Sequence, residues 1–223
     1  EHPVTELVTG VDLVREQLRI AEGRALSFTQ DELLQQGHAI EVRLYAEDPG
    51  QGFLPQTGTL LDFHAPAREG VRIDSGVETG SEVGIHYDPM LAKVIAHGDD
   101  RATALRRLDR ALADTAVLGV VTNIDFARFL LADPDVVAGQ LDTGLLDRRA
   151  GDYTPRGPDD DVLIAAGVFH WLRDWPQDCG DRWGIPDGWR MGAPAPTIVR
   201  LRTGARVGHV AITGTLGNAL VRI

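Results

Sequence analysis

Residues 38–47 read HAIEVRLYAE, and this alternation decides how the first part of the chain folds. His38, Ile40, Val42 and Leu44 fall on one side of an extended chain. Glu41, Arg43 and Tyr45 fall on the other. Successive side chains of a strand point to opposite faces, so the run predicts a strand with one apolar face and one charge-bearing face. An arginine held on a rigid strand can stabilise an anion by charge-assisted hydrogen bonds. The alternative reading is an exposed strand face carrying an ion pair.

Outward from this strand, the Gly- and Pro-rich DPGQGFLPQTG (48–58) reads as loop. TLLDFH (59–64), GVRID (70–74) and MLAKVIAHG (90–98) read as further strands, separated by turn-like stretches. Upstream, VDLVREQLRIAEG predicts a helix whose apolar face is Val11, Val14 and Leu18, with Gly23 past its end. A short helix over DELL is capped by Thr29. Downstream, Asp99 is the expected cap of a helix over 100–114 with Leu105, Leu108 and Leu112 as its buried stripe. VLGVV is a short strand, Thr122 with Asp125 resembles a capping box opening the next helix, and LLDRR forms a small last one.

Composition shifts at AGDYTPRGPDDD, which reads as a linker over about residues 151–160. A helix over DVLIAAGVFHWLRDW, an irregular Trp-containing stretch and three strand-like runs follow. The fold class is α+β: an antiparallel sheet with flanking helices over 1–150, then a helix beside an antiparallel sheet over 161–223.

The 223-residue chain carries 22 Lys+Arg against 33 Asp+Glu, a net charge of −11. That field opposes non-specific binding to nucleic acid or anionic membranes, though it leaves room for a local basic pocket. One cysteine, Cys179, excludes an intrachain disulfide scaffold and a cysteine-built zinc site, and fits a cytoplasmic setting. No run approaches the ~18 apolar residues of a membrane span. The sequence contains no phosphate-cradling G-x-x-x-x-G-K-[ST] or G-x-G-x-x-G loop, no H-E-x-x-H and no G-x-S-x-G elbow, and its seven histidines are scattered, so no metal site is expected. The first residue is Glu1 rather than Met, and GTLGNALVRI ends as a strand without a tail. The chain is therefore expected to be part of a longer one.

EHPVTELVTGVDLVREQLRIAEG, GHAIEVRLYAEDP, FLPQTG, YDPMLAKVIAHG and VLGVVTN, in this order, resemble the C-terminal region of biotin carboxylase, the ATP-grasp component of biotin-dependent acyl-CoA carboxylases. The remainder, with Asp187-Gly188-Trp189-Arg190, resembles the start of the linker domain of methylcrotonyl-CoA and propionyl-CoA carboxylase α subunits. In that family this domain wraps a helix in an antiparallel β-barrel and joins the α subunit to the carboxyltransferase β subunit. The resemblance implies an incomplete version of that barrel here, and an ATP-grasp fragment before it.

It also implies an activity. The family carboxylates biotin on a carrier domain with ATP, Mg²⁺ and bicarbonate. Glu1 matches the base that deprotonates bicarbonate, which makes it a better nucleophile. Arg43 matches the arginine that contacts bicarbonate and stabilises the biotin enolate; a guanidinium stays charged and offers a planar donor fork. Val120 matches a residue packed on the adenine, and an ordinary core role is its alternative. Arg72 matches an arginine at the family's carboxylase dimer surface, while Glu69 stands where an apolar residue is often found. The resemblance places most of the ATP and metal site before residue 1 and the biotin carrier after residue 223, and it implies an oligomeric parent. His86-Tyr87-Asp88 reads as a turn rather than a catalytic set. Trp171, Trp175, Trp183 and Trp189 are either core residues or a partner-facing patch. A non-catalytic docking module for a carboxyltransferase subunit is the alternative function.

Overall fold

The computed structural model describes residues 2–176, 182–204 and 206–223. Glu1 and Cys179 lie outside the described residues. The chain divides into two compact units, Glu1–Pro155 and Arg156–Ile223.

The first unit opens with helices α1 (Pro3–Thr9) and α2 (Leu13–Ala21). Pro3 stands at the start of α1, where its missing N–H costs nothing, and Gly10 ends it in the left-handed region at φ 73°. Asp12 caps α2 by accepting from the Arg15 N–H at 2.9 Å. Eight strands follow: β1 (His38–Tyr45), β2 (Glu47–Asp48), β3 (Leu54–Pro55), β4 (Gly58–Thr59), β5 (Asp62–His64), β6 (Val71–Ser75), β7 (Glu82–Val83) and β8 (Met90–Gly98). Helix α3 (Arg101–Asp114), strand β9 (Ala116–Leu118) and helices α4 (Ile124–Leu131), α5 (Pro134–Ala138) and α6 (Leu145–Ala150) complete it.

The organising sheet is three-stranded, in the order β1-β8-β6, antiparallel throughout. Its register sets opposite one another Val42 with Val94 and Val94 with Ile73, and likewise Ile40 with Ala96 and Ala96 with Val71. This apolar face packs against α3, whose Leu105, Leu108 and Leu112 are buried. A second core gathers Leu44, Ala46, Leu60, Val83, Leu91 and Ala92. Short antiparallel pairs β2-β3, β4-β7 and β5-β9 stand around the central sheet. Phe126 on α4 lies edge-on to Phe53 and Tyr153, at 4.9 and 5.2 Å between ring centres, which fastens that helix.

In the second unit, α7 (Asp160–Arg173) packs on a three-stranded antiparallel sheet of β10 (Thr197–Thr203), β11 (Arg206–Thr215) and β12 (Asn218–Arg222). Asp159 caps α7 through the Val162 N–H at 3.0 Å. Trp171, Val210 and Ile212 form its buried centre. The described strands do not close a barrel, as the α+β reading with an incomplete barrel expects. Among the described residues, no helix is long and apolar enough to cross a membrane.

Three local expectations are corrected. The apolar face expected on α2 is not buried: Val14 and Leu18 are 53% and 62% exposed, and the helix's buried residue is Glu16. Glu16 turns inward because its carboxylate accepts from both the backbone N–H and the hydroxyl of Ser27. The cap of α3 is Asp100 rather than Asp99; its side chain accepts from the Thr103 N–H at 2.7 Å, the three-residue spacing a cap needs. The Thr122–Asp125 capping box does not form. The N-cap position of α4 is Asn123, and its side chain is used elsewhere.

Candidate functional site

The reverse face of the central sheet is charged. Residues directly opposite in register share a face, so Glu41 and Arg43 on β1 line up with Ile95 and Lys93 on β8, and these with Arg72 and Asp74 on β6, while Tyr45 stands opposite Met90 past a register shift. Helix α1 packs along part of this face, and Ile95 is fully buried.

Arg43 is the most exposed residue of β1, and its side chain keeps just over half of its free surface (56%). The Glu41 carboxylate, two residues back on the same face, accepts from the Arg43 Nε at 3.3 Å. Tyr45 first, then Glu41, raise the Arg43 pKa above its ordinary value by hydrogen bonding and charge. The guanidinium is therefore a permanent cation at any working pH. Directly across the strand pair stands Lys93. Lys93 in turn stands opposite Asp74 on β6, so cations and carboxylates share this face.

Arg72 is engaged differently. Its Nε and Nη2 donate to the two oxygens of Asp74 at 2.8 Å each, and its Nη1 donates to Glu6 on α1 at 2.6 Å. Asp74 and then Glu6 push its pKa upward. Glu69 lies exposed three residues before it.

Val120 is half-buried against the Leu44–Leu60 core, and its Cγ1 lies 3.3 Å from where a side chain on Gly58 would begin. Three residues on, the Asn123 carboxamide bonds the backbone of both Arg43 and Tyr45. The turn that carries Val120 is thus fastened to the end of the strand that carries Arg43. Sequence reasoning missed Asn123. Its only signal is the dipeptide Thr122-Asn123 before an apolar run, which reads equally as a helix start.

Just past β1, burial and then the Asp88 charge lift the Glu47 pKa. The His86-Tyr87-Asp88 segment is a turn: Tyr87 is almost fully exposed, and Asp88 accepts from the Met90 N–H at 2.9 Å. The four tryptophans differ in burial. Trp171 is buried and donates to the Pro186 carbonyl at 3.0 Å, with Trp175 edge-on to it. Trp183 and Trp189 are exposed and line a groove of 520 Å³ with Met191. Among the described residues, no group of three or more His, Cys, Asp or Glu comes together to hold a metal ion.

Residues 41–148 match the "Biotin carboxylase C-terminal domain", and residues 159–223 match "Methylcrotonyl-CoA carboxylase, alpha-subunit, BT domain". Residues 1–29 match "Carbamoyl-phosphate synthase L chain, ATP binding domain". The chain is 46% identical to Haemophilus influenzae biotin carboxylase over 151 residues, 68% of this chain and 34% of that protein. It is 41% identical to the mitochondrial methylcrotonoyl-CoA carboxylase subunit alpha of Dictyostelium discoideum over 199 residues, 86% of this chain and 28% of that one. Among solved structures, it is similar to the biotin carboxylase domain dimer of Hydrogenobacter thermophilus 2-oxoglutarate carboxylase, in complex with MgADP, ADP and bicarbonate. There the TM-score is 0.66 and the identity 36%, covering 70% of this chain and 35% of that chain. The chain spans about a third of the length of the curated relatives it matches. Its two matched segments are thus similar to a biotin carboxylase C-terminal domain and to the BT domain of a methylcrotonyl-CoA carboxylase α subunit.

Proposed function

We propose that the chain is the C-terminal part of a biotin carboxylase in an acyl-CoA carboxylase α subunit, where Arg43 holds the reacting anions. The observation that carries this reading is the exposed Arg43 guanidinium on β1, a strand paired with β8 on one side and bonded by Asn123 on the other. In the proposed reaction, ATP and bicarbonate give carboxyphosphate, and carrier-bound biotin captures the carbon dioxide released. Arg43 donates to bicarbonate oxygens first, then to the oxygen on which negative charge develops in the biotin enolate. A donor fork already in place needs no reorganisation at the moment of reaction. Glu1 is the proposed base toward bicarbonate. Val120 offers an apolar wall that suits an adenine ring.

In this reading most of the magnesium and nucleotide-phosphate site belongs to other parts of the enzyme. Biotin would arrive on a separate carrier domain. The proposed setting is cytoplasmic and oligomeric, with a carboxyltransferase β subunit as partner.

The decisive experiment is Arg43→Ala in the full-length α subunit, assayed for bicarbonate-dependent biotin carboxylation. A fall of two orders of magnitude or more is expected, as for loss of one charged transition-state donor. Carboxylation at the wild-type rate rejects the role. A second reading is favoured by the exposed Trp183–Trp189 pair in the BT domain: docking to a carboxyltransferase subunit. Capture of that subunit by full-length protein, weakened by Trp183→Ala, Trp189→Ala, supports it.

A further inference from the structure

We propose that Asn123 is a positioning residue: its carboxamide locks the backbone on either side of Leu44, so that Arg43 meets its anion at a fixed angle. The proposal rests on the reading of Arg43 as the anion-holding group.

In the central sheet β1 is an edge strand, with β8 on one side. An edge leaves a row of backbone N–H and C=O groups without strand partners. At Arg43 and Tyr45, Asn123 supplies them. Its Oδ1 accepts from the Tyr45 N–H at 2.9 Å, and its Nδ2 donates to the Arg43 carbonyl at 3.0 Å. Its own backbone N–H donates to the Tyr45 carbonyl at 3.2 Å. One residue thus pairs with the outer edge much as a neighbouring strand would.

The inner edge loosens at the same place. The register with β8 runs Arg43–Lys93, Leu44–Ala92, then Tyr45–Met90, leaving Leu91 unmatched. Such a bulge bends a strand and re-aims its side chains. Where the inner ladder is interrupted, the direction of Arg43 depends on what grips the outer edge. A carboxamide is suited to that, because it presents one acceptor and a donor as a peptide group does. Its anchorage is firm. Asn123 precedes α4, whose Phe126 and Ala127 are buried.

The structural alternative is that Asn123 only ties α4 to the sheet. Double-variant kinetics in the full-length enzyme separate the two. Bicarbonate-dependent ATP cleavage with free biotin is measured for Asn123→Ala and Asn123→Asp, alone and with Arg43→Ala, beside thermal melts of each. Asp keeps the size and the bond to Tyr45 but sets an oxygen against the Arg43 carbonyl, so it serves if the alanine variant does not fold.

Alone, each substitution is expected to lower kcat about tenfold and raise the bicarbonate KM, with the MgATP KM unchanged, as for a slightly misaimed catalytic group. In the Arg43→Ala background neither should lower the residual rate further, while the loss in melting temperature should be the same in both backgrounds. Wild-type kcat and bicarbonate KM in the single variants, or additive losses in the double ones, overturn the proposal. Wild-type carboxylation by Arg43→Ala alone overturns instead the reading of Arg43 on which it rests.

Discussion

Glu6 on α1 lies 2.6 Å from Arg72 on β6, 66 residues away in sequence, and the contact pins the first helix along the charged face of the sheet. Glu6 works twice, since its other oxygen accepts from the Leu13 N–H at 3.0 Å at the start of α2. Arg72→Ala removes the partner of a carboxylate that is only 12% exposed. Arg72 itself is more than a third exposed, so solvent screens the pair. The expected cost is about 1–2 kcal/mol, seen as a lower urea midpoint at unchanged slope. An unmoved midpoint would mean that α1 is held by apolar packing alone.

The Glu16 carboxylate should make the protein sensitive to acid. Its pKa is lowered chiefly by the Ser27 hydroxyl and backbone N–H, which bond the charged form. A carboxylate with a depressed folded-state pKa binds fewer protons folded than unfolded. Its stabilising contribution is full above the ordinary value of 4.5 and is lost as pH falls through the lower folded value. Ser27→Ala should raise the midpoint of acid unfolding followed by circular dichroism. The same acid midpoint in both proteins contradicts the assignment.

Such contacts explain what the sequence could and could not reveal. The alternation from His38 to Leu44 was legible because a strand with one buried face must repeat every two residues. Leu105, Leu108 and Leu112 were legible for the equivalent reason in a helix. Glu16 was not, because a charged residue turns inward only when a distant partner, here Ser27, is already in place. Nor was Asn123. Its partners lie 78 and 80 residues upstream, and a side chain that bonds another strand's backbone leaves no local periodicity. Arg43 stood out locally as a charge on a strand, but nothing local distinguishes an anion site from a surface ion pair.

In the second unit, Gly167 is where α7 comes closest to the sheet. A methyl group there would begin 2.6 Å from the Val210 Cβ, and Val210 is fully buried. Alanine normally favours a helix over glycine by about 1 kcal/mol. Forcing a branched, buried neighbour aside costs about 1–3 kcal/mol, so overpacking outweighs propensity. Gly167→Ala should lower the melting temperature. Adding Val210→Ala to Gly167→Ala should then cost less than Val210→Ala does in the parent protein. A more stable Gly167→Ala protein would show that the helix can move off the sheet freely.

Arg43→Lys separates charge from shape at the proposed anion site. A lysine stays protonated through neutral pH, so at pH 7 the substitution keeps the positive charge. What it removes is the planar fork, whose parallel donors fix two oxygens of one anion at once. It also gives up the Nε that Glu41 now holds at 3.3 Å, so the new ammonium has a longer, freer stem. If the fork does the positioning, Arg43→Lys should lower the rate of biotin carboxylation about a hundredfold while the MgATP KM stays unchanged. Arg43→Ala, which loses charge as well, should fall further. Equal losses in the two variants would mean that geometry, not charge, carries the whole effect. A lysine variant within twofold of wild type would mean the reverse: a cation anywhere on this face suffices, and the fixing of the β1 backbone contributes nothing to the reaction.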